Sequence, residues 1–272
     1  MGIKLIAVDL DGTLLTSNNE ILPETEKLLK QANEQGIKVV LATGRPLSGV
    51  MRYSEQLSLA GKADQYNIVF NGAVIQNLAG KVVMDQKMNY HDFTNMIRLQ
   101  RLAHVNLHFE TPDCFWCCDR DLAASLALNA ATTNNMIKVR PVEEIPQDFS
   151  FNKVGLTMID DLQEMDKLWQ NLPDWVFAKY DVVRSFPEII ELNLKNASKG
   201  NALLQLAARL QIAPNQVMVF GDQGNDVSMF ANPDFKKIAM GNAIEAIKDS
   251  ADYVTDDNDH NGIAKALKKF VL

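Results

Sequence analysis

Apolar positions along the chain fall into two textures. Short unbroken runs rich in β-branched residues predict buried strands, and apolar residues recurring every three or four positions predict amphipathic helices. The first run, within 4–13, reads Lys4-Leu5-Ile6-Ala7-Val8 and ends in Asp9-Leu10-Asp11-Gly12-Thr13. A helix is predicted over 23–35, with proline in its first turn, Leu28, Leu29 and Ala32 on one face, and Gly36 as its stop. A second buried strand over 37–42 runs into Thr43-Gly44-Arg45, and Pro46 opens a helix carrying Leu47, Val50, Met51 and Leu57. The strand 67–70 ends in Asn71-Gly72, and a turn over 77–80 folds Val74-Ile75 against Val82-Val83.

From 84 to 187 the texture changes. Strands are expected at 106–109, 115–118, 154–158, 176–180 and 182–186, and helices at 93–103, 122–131 and 162–168. None of these strands ends in acids as the first one does. The segment 84–187 therefore reads as an α+β domain inserted into a domain formed by 1–83 and 188–272. The first texture returns with a strand at 189–194 and a helix over 199–210 that Ser198 can cap. A buried strand at 217–220 follows, ending in Gly221-Asp222-Gln223-Gly224-Asn225-Asp226. Short strands at 237–240 and 253–254 and a closing helix at 263–270 complete the chain. Strands alternating with helices predict an α/β fold with a doubly wound, mostly parallel, Rossmann-like sheet.

Composition narrows the function classes. A chain of 272 residues with net charge −7 does not suit a general binder of nucleic acid or anionic membrane. No apolar run reaches the ~18 residues of a membrane span, and Asp9 and Asp11 interrupt the first run before a signal-peptide core can form. A cytoplasmic location is expected. Cys114, Cys117 and Cys118 form an odd, local set without a second pair, which reads as ordinary reduced thiols in a strand.

Several strands of the outer domain end in polar or acidic residues followed by glycine, at Asp9, Thr43, Asn71 and Asp222. Ligands of open parallel sheets bind beyond the carboxyl ends of the strands, so these ends are expected to converge on one crevice. Asp9, a carbonyl near Asp11, Asp222 and Asp226 offer hard oxygen ligands that suit Mg²⁺. Two close carboxylates repel, and burial aggravates this unless a cation or a shared proton intervenes. Thr43 adds a hydroxyl, Gly44 a backbone N–H, and Lys199 a charge at a helix N-terminus, all favourable to anionic oxygen.

The motifs DLDGT (9–13), LATGR (41–45), SKG (198–200) and GDQGND (221–226) stand in this order. The chain thereby resembles the haloacid dehalogenase superfamily of phosphohydrolases, specifically its Cof-type subfamily with a large inserted α/β cap of the C2 type. MGNA (240–243), ADYVT (251–255) and NGIAKAL (261–267) add to the likeness, and the overall pattern is nearest the sugar-phosphate phosphatases. The resemblance implies Asp9 as nucleophile and Asp11 as general acid/base. It implies Thr43, Gly44, Lys199 and Asn225 around the phosphoryl group, and Asp9, Asp11, Asp222 and Asp226 around Mg²⁺. Arg45, Asn71 and Gly72 would lie nearer a small phosphorylated metabolite. A receiver-like phospho-acceptor module shares the aspartate, magnesium, threonine and lysine, and a phosphomutase or a silent relative shares the core. The D-x-D spacing, the motif order and the insertion stand against the receiver-like module, and the intact acids against a silent relative. Hydrolysis is the leading reading, with a phosphomutase on the same core as the alternative. The aromatic, thiol-rich stretch 113–118 and the acidic stretch 256–260 have no role in this reading.

Overall fold

A computed structural model describes residues 2–157, 162–186 and 189–272. The first apolar run forms β1 (Leu5–Val8), buried along its whole length. Leu5 and Ala7 join one apolar cluster; Ile6 and Val8 face the opposite side by strand alternation and are equally buried. Helix α1 (Pro23–Glu34) begins with its proline and buries Leu28, Leu29 and Ala32. Strand β2 (Lys38–Ala42) then pairs in parallel with β1. After α2 (Ser48–Gln56) come β3 (Tyr66–Val69), parallel to β2, and the antiparallel strands β4 (Val74–Asn77) and β5 (Val82–Asp85).

The described chain divides into two compact units, one of Met1–Gly44, Val50–Met84 and Ser198–Leu272, the other of Arg45–Gly49 and Asp85–Ala197. The second unit contains α3 (Tyr90–Ala103), β6 (Asn106–Glu110), β7 (Cys114–Cys117), α4 (Ala124–Thr132), β8 (Met136–Val139) and β9 (Lys153–Thr157). It continues through α5 (Leu162–Asn171), α6 (Asp174–Lys179), β10 (Tyr180–Phe186) and β11 (Ile189–Leu194). Its six strands form one sheet in the order β10-β11-β9-β6-β7-β8. Alternation gives this sheet two different faces. Leu107 and Phe109 of β6, Val154 and Leu156 of β9, and Ile190 and Leu192 of β11 enter an apolar core with Phe93, Phe149 and Phe151.

On the opposite face the same strands present His108, Glu110, Lys153 and Glu191, all buried. Lys153 Nζ lies 2.6 Å from Glu191 Oε1 and 3.1 Å from Glu110 Oε1, and His108 Nε2 lies 3.2 Å from Glu110 Oε1. Gly155 pairs with His108 across the ladder, and a Cβ there would run into the imidazole.

Two expectations are corrected in this unit. The sequence predicts a strand over 176–180, but most of these residues belong to α6. Pro173 just ahead of that helix and Asp174 in its first turn favour a helix start, and Val176 is the position it buries. The strand 189–194, expected in the outer domain, pairs with β9 and β10 instead. Its apolar run resembles a core strand because both faces are buried, one against aromatics and one against the charged cluster. Met158, the last position of the strand expected at 154–158, and the expected boundary at 187/188 lie outside the described residues.

The first unit resumes with α7 (Lys199–Arg209), β12 (Val217–Gly221), α8 (Val227–Phe230), β13 (Lys236–Ala239), α9 (Glu245–Ser250), β14 (Tyr253–Val254) and α10 (Gly262–Phe270). Its sheet runs β14-β13-β12-β1-β2-β3-β4-β5, parallel from β14 to β3. The chain leaves β1 towards β2 and β3, then returns on the other flank through β12 and β13. That reversal makes β1 the topological switch point, where ligands of such sheets bind. Among the described residues, no helix is long and apolar enough to cross a membrane.

Candidate active site

β1, β2, β3 and β12 lie side by side and point the same way, so their carboxyl ends reach one edge of the sheet. Asp9 follows β1 directly and is 3% exposed. The strand ends at Val8 and the chain turns at once, with Leu14 N donating to Asp9 O and Leu15 N to Leu10 O. Strand alternation therefore does not carry through to Asp11, which stays partly exposed. Gly12 has a φ of +75°, and its missing Cβ leaves the space that the Asp222 carboxylate fills. Only glycine combines that backbone with that approach. Thr13 Oγ1 donates to Asp222 Oδ1 at 2.7 Å, so the loop after β1 is fastened to the end of β12.

Lys199 reaches the same place from α7. Ser198 caps the helix, its hydroxyl accepting from Asn201 N. Gly200 lets α8 pack against the first turn, since a Cβ there would meet the Ser228 carbonyl. Lys199 is fully buried, and its Nζ donates to Asp9 Oδ1 at 2.6 Å and to Asp226 Oδ1 at 2.7 Å. The other Asp226 oxygen accepts from the backbone N–H groups of Asp222 and Gln223.

Asp9, Asp222 and Asp226 are all buried, with one carboxylate oxygen from each within 4.8 Å of the others. Three acids against one ammonium leave net negative charge in a dry place. Burial raises the Asp9 carboxyl well above the ordinary carboxylate range, and Asp226, Asp222 and Asp11 add more than Lys199 offsets. Asp222 is pushed up to about 7, first by burial and then by Asp226. Burial works against the Lys199 ammonium, but Asp226 and Asp9 reverse that and hold it protonated. Hard anionic oxygens in excess of positive charge suit a small divalent cation such as Mg²⁺.

At the end of β2, Thr43 is buried and its carbonyl accepts from Asn71 N at 3.0 Å. Phe70 and Asn71 both hold positive φ, at 52° and 53°, and Gly72 follows at 100°. A bulky residue such as Phe70 rarely adopts that region. The strain brings Asn71 towards its neighbours. A Cβ on Gly44 would lie 2.7 Å from Asn71 Oδ1, and that oxygen accepts from Asn225 Nδ2 at 3.3 Å. A Cβ on Gly72 would strike the Ser198 carbonyl.

The sequence-named positions thus fall into two groups. Asp9, Lys199, Asp222 and Asp226 form one cluster; Thr43, Gly44, Asn71 and Asn225 form an adjoining polar chain, with Gly72 packed under Ser198. Asp11 is outside the trio of carboxylates but close enough to raise both Asp9 and Asp222. Arg45 belongs to the second unit. Thr13 and Asn242 were not singled out from the sequence. Thr13 holds Asp222, and Asn242 Nδ2 donates to Gly12 O at 2.8 Å. Both stand inside motifs quoted above, which is the one signal that could have drawn attention to them.

Residues 6–267 match the family of haloacid dehalogenase-like hydrolases. The chain is 36% identical over 270 residues to YxeH of Bacillus subtilis (strain 168), covering 99% of this chain and 98% of that one. It is 31% identical over 273 residues to the 5-amino-6-(5-phospho-D-ribitylamino)uracil phosphatase YcsE of the same organism, covering 99% and 96%. Among solved structures, a haloacid dehalogenase-like hydrolase from Bacteroides thetaiotaomicron superposes with a TM-score of 0.84 at 26% identity, covering 98% of this chain and 99% of that one.

Proposed function

The chain belongs to the haloacid dehalogenase-like hydrolase family, and on that premise we propose a Mg²⁺-dependent phosphatase of small phosphate monoesters, sugar phosphates above all. The observation that carries the reading is Lys199 held between Asp9 and Asp226, with Asp222 beside them. One lysine and several carboxylates are the groups needed to bring an anionic phosphate to an anionic nucleophile.

Asp9 acts as the nucleophile. Its carboxylate oxygen bonds to phosphorus as the ester P–O bond breaks, and Asp11 gives its proton to the departing alkoxide. Water then attacks the aspartyl phosphate, Asp11 takes a proton from it, and the bond from phosphorus to Asp9 breaks to release inorganic phosphate. Lys199 neutralises Asp9 in the resting site and the phosphoryl oxygens during transfer. Thr43 and the Gly44 N–H bind those oxygens, and Asn71 and Asn225 brace that side. Asp9, Asp222, Asp226 and a carbonyl near Asp11 would hold the metal, which when bound screens phosphate charge. Asp11 is more exposed than Asp9, which suits a group that exchanges protons with leaving group and water.

The sugar-phosphate preference draws on the ribityl phosphate substrate named for the relative YcsE. Selection of the leaving group is assigned to the inserted unit. Phosphate release from a panel of sugar phosphates, nucleotides and aryl phosphates, with chelator and with Mg²⁺ restored, tests the reading. Turnover that survives exhaustive chelation, or a panel without a sugar phosphate among its good substrates, overturns the corresponding part.

A further inference from the structure

The acidic stretch 256–260 acquires a role once its hydrogen bonds are followed. It does not gather its side chains around a common point. It fastens the loop that carries Asp11. Asn258 Nδ2 donates to Leu15 O at 2.8 Å. Asp259 accepts from Ser17 twice, from the backbone N–H at 2.9 Å and from the hydroxyl at 2.6 Å. Asn242, from the loop after β13, donates to Gly12 O at 2.8 Å and accepts from Asn258 N at 3.3 Å. The two loops are locked together, since Gly241 N donates to Asp256 O and a Cβ on Gly262 would strike that same carbonyl.

The loop 10–17 is therefore held along its length from one side. Its other anchor is Thr13 on Asp222. Ile244 N, two residues past Asn242, donates to Asp222 O at 3.0 Å. The contacts close a circuit: Asp222 to Thr13, Gly12 to Asn242, and Ile244 back to Asp222. Asp11 sits at the edge of that circuit, one peptide from the carbonyl that Asn242 grips. Gly12 is in the left-handed region at φ +75°, so the Gly12 peptide that Asn242 holds is one whose rotation would swing Asp11.

We propose that Asn242 and Asn258, backed by Asp259, are positioning residues that fix Asp11 for proton transfer to the leaving group. The inference rests on the reading of Asp11 as general acid/base. Asn242 and Asn258 touch neither substrate nor metal in this account and act through the backbone of the loop. A proton donor misplaced by a fraction of an ångström loses most where the leaving group needs the proton most.

The test compares kcat/KM for 4-nitrophenyl phosphate and phenyl phosphate in the full-length protein with saturating Mg²⁺, for wild type, Asn242→Ala, Asn258→Ala, Asp259→Ala and Asp11→Asn. This ratio reports the steps through release of the phenol. Asn242→Ala is expected to lose about 10- to 100-fold on phenyl phosphate and less than about threefold on 4-nitrophenyl phosphate, whose anion leaves with little help. Asp259→Ala, on the surface, is expected to shift in the same direction by less, and it decides the matter should Asn242→Ala fail to fold. Combined with Asp11→Asn, Asn242→Ala should add almost nothing, because it acts through the group already removed. Equal losses on both esters, a raised Mg²⁺ requirement as the sole effect, or full additivity with Asp11→Asn would overturn the positioning role. If Asp11→Asn itself loses equally on both esters, the general-acid reading fails instead, whatever the Asn242 variant does.

Discussion

Replacing Lys199 by methionine keeps the volume of the side chain and removes its charge, leaving Asp9 and Asp226 with no ammonium between them. Both now sit 2.6 Å and 2.7 Å from Nζ, and the lysine is fully buried. Removing one partner of a buried ion pair typically costs about 3–5 kcal/mol. The cost should depend on pH, because the carboxylates can take up protons in place of the lost cation. Each proton bound in the folded but not the unfolded state relieves about 1.4 kcal/mol per pH unit. Metal-free Lys199→Met should therefore lose close to the full amount near about pH 8 and only a small part near about pH 5. The three tryptophans, Trp116, Trp169 and Trp175, all lie in the second unit. Their fluorescence would miss the event, so amide hydrogen exchange at β1 and β12 is the suitable measurement. A loss under about 1 kcal/mol at both pH values, or one of equal size at both, would refute the charge argument.

The wild-type units should respond to pH with opposite signs. Asp9 and Asp222 have raised folded values, so their contribution to the metal-free stability of the first unit is fully present below the unfolded carboxylate range and is lost as pH rises through about 7, the Asp222 value. In the second unit, burial opposes the Glu110 and Asp92 charges, but Lys153 with His108, and Lys179 with Tyr180, pull both below their ordinary values. Their stabilisation is present above the unfolded range and is lost as pH falls below it. Hydrogen exchange resolved by unit checks both slopes, and parallel slopes would contradict the assignment. Mg²⁺ should raise the stability of the first unit more at high pH than at low pH; a shift independent of pH, read by the same exchange, would argue against binding at the carboxylates. Gly12→Ala should cost activity far more than an ordinary loop substitution, through both its φ and its collision with Asp222. Steady-state kinetics within about threefold of wild type would show that the loop tolerates the change.

Much of the site could be read before the fold was known. The Asp9 strand end, the Ser198-Lys199-Gly200 helix start and the Asp222–Asp226 turn each join a local structural signal to a chemical one. Their convergence follows from parallel-sheet topology. What escaped the sequence depends on partners far along the chain. Strand β11 looks like any buried strand until its pairing with β9 is seen. Strand β8, a four-residue edge strand with Met136 and Val139 exposed, is too short to stand out as a buried run. The charged cluster of His108, Glu110, Lys153 and Glu191 comes from three strands that only the sheet order brings together. The same is true of 256–260, whose acidity means little until Ser17 and Leu15 lie beside it. Of the thiol-rich stretch, burial pushes Cys117 up to about 11 and Cys118 up to about 12, which fits unreactive thiols.

The central claim is that phosphorus passes through Asp9. Rapid-quench labelling tests it most directly, using Asp11→Asn and 4-nitrophenyl phosphate, an activated aryl phosphate, carrying radiolabelled phosphorus, followed by peptide mapping. The leaving group needs little protonation, so Asp9 should still be phosphorylated. Water attack lacks its base, so label should accumulate on Asp9 as a burst followed by slow turnover. In the wild type the label should be short-lived. Label on any other residue, no covalent label at all, or a wild-type adduct that persists for minutes would contradict the account.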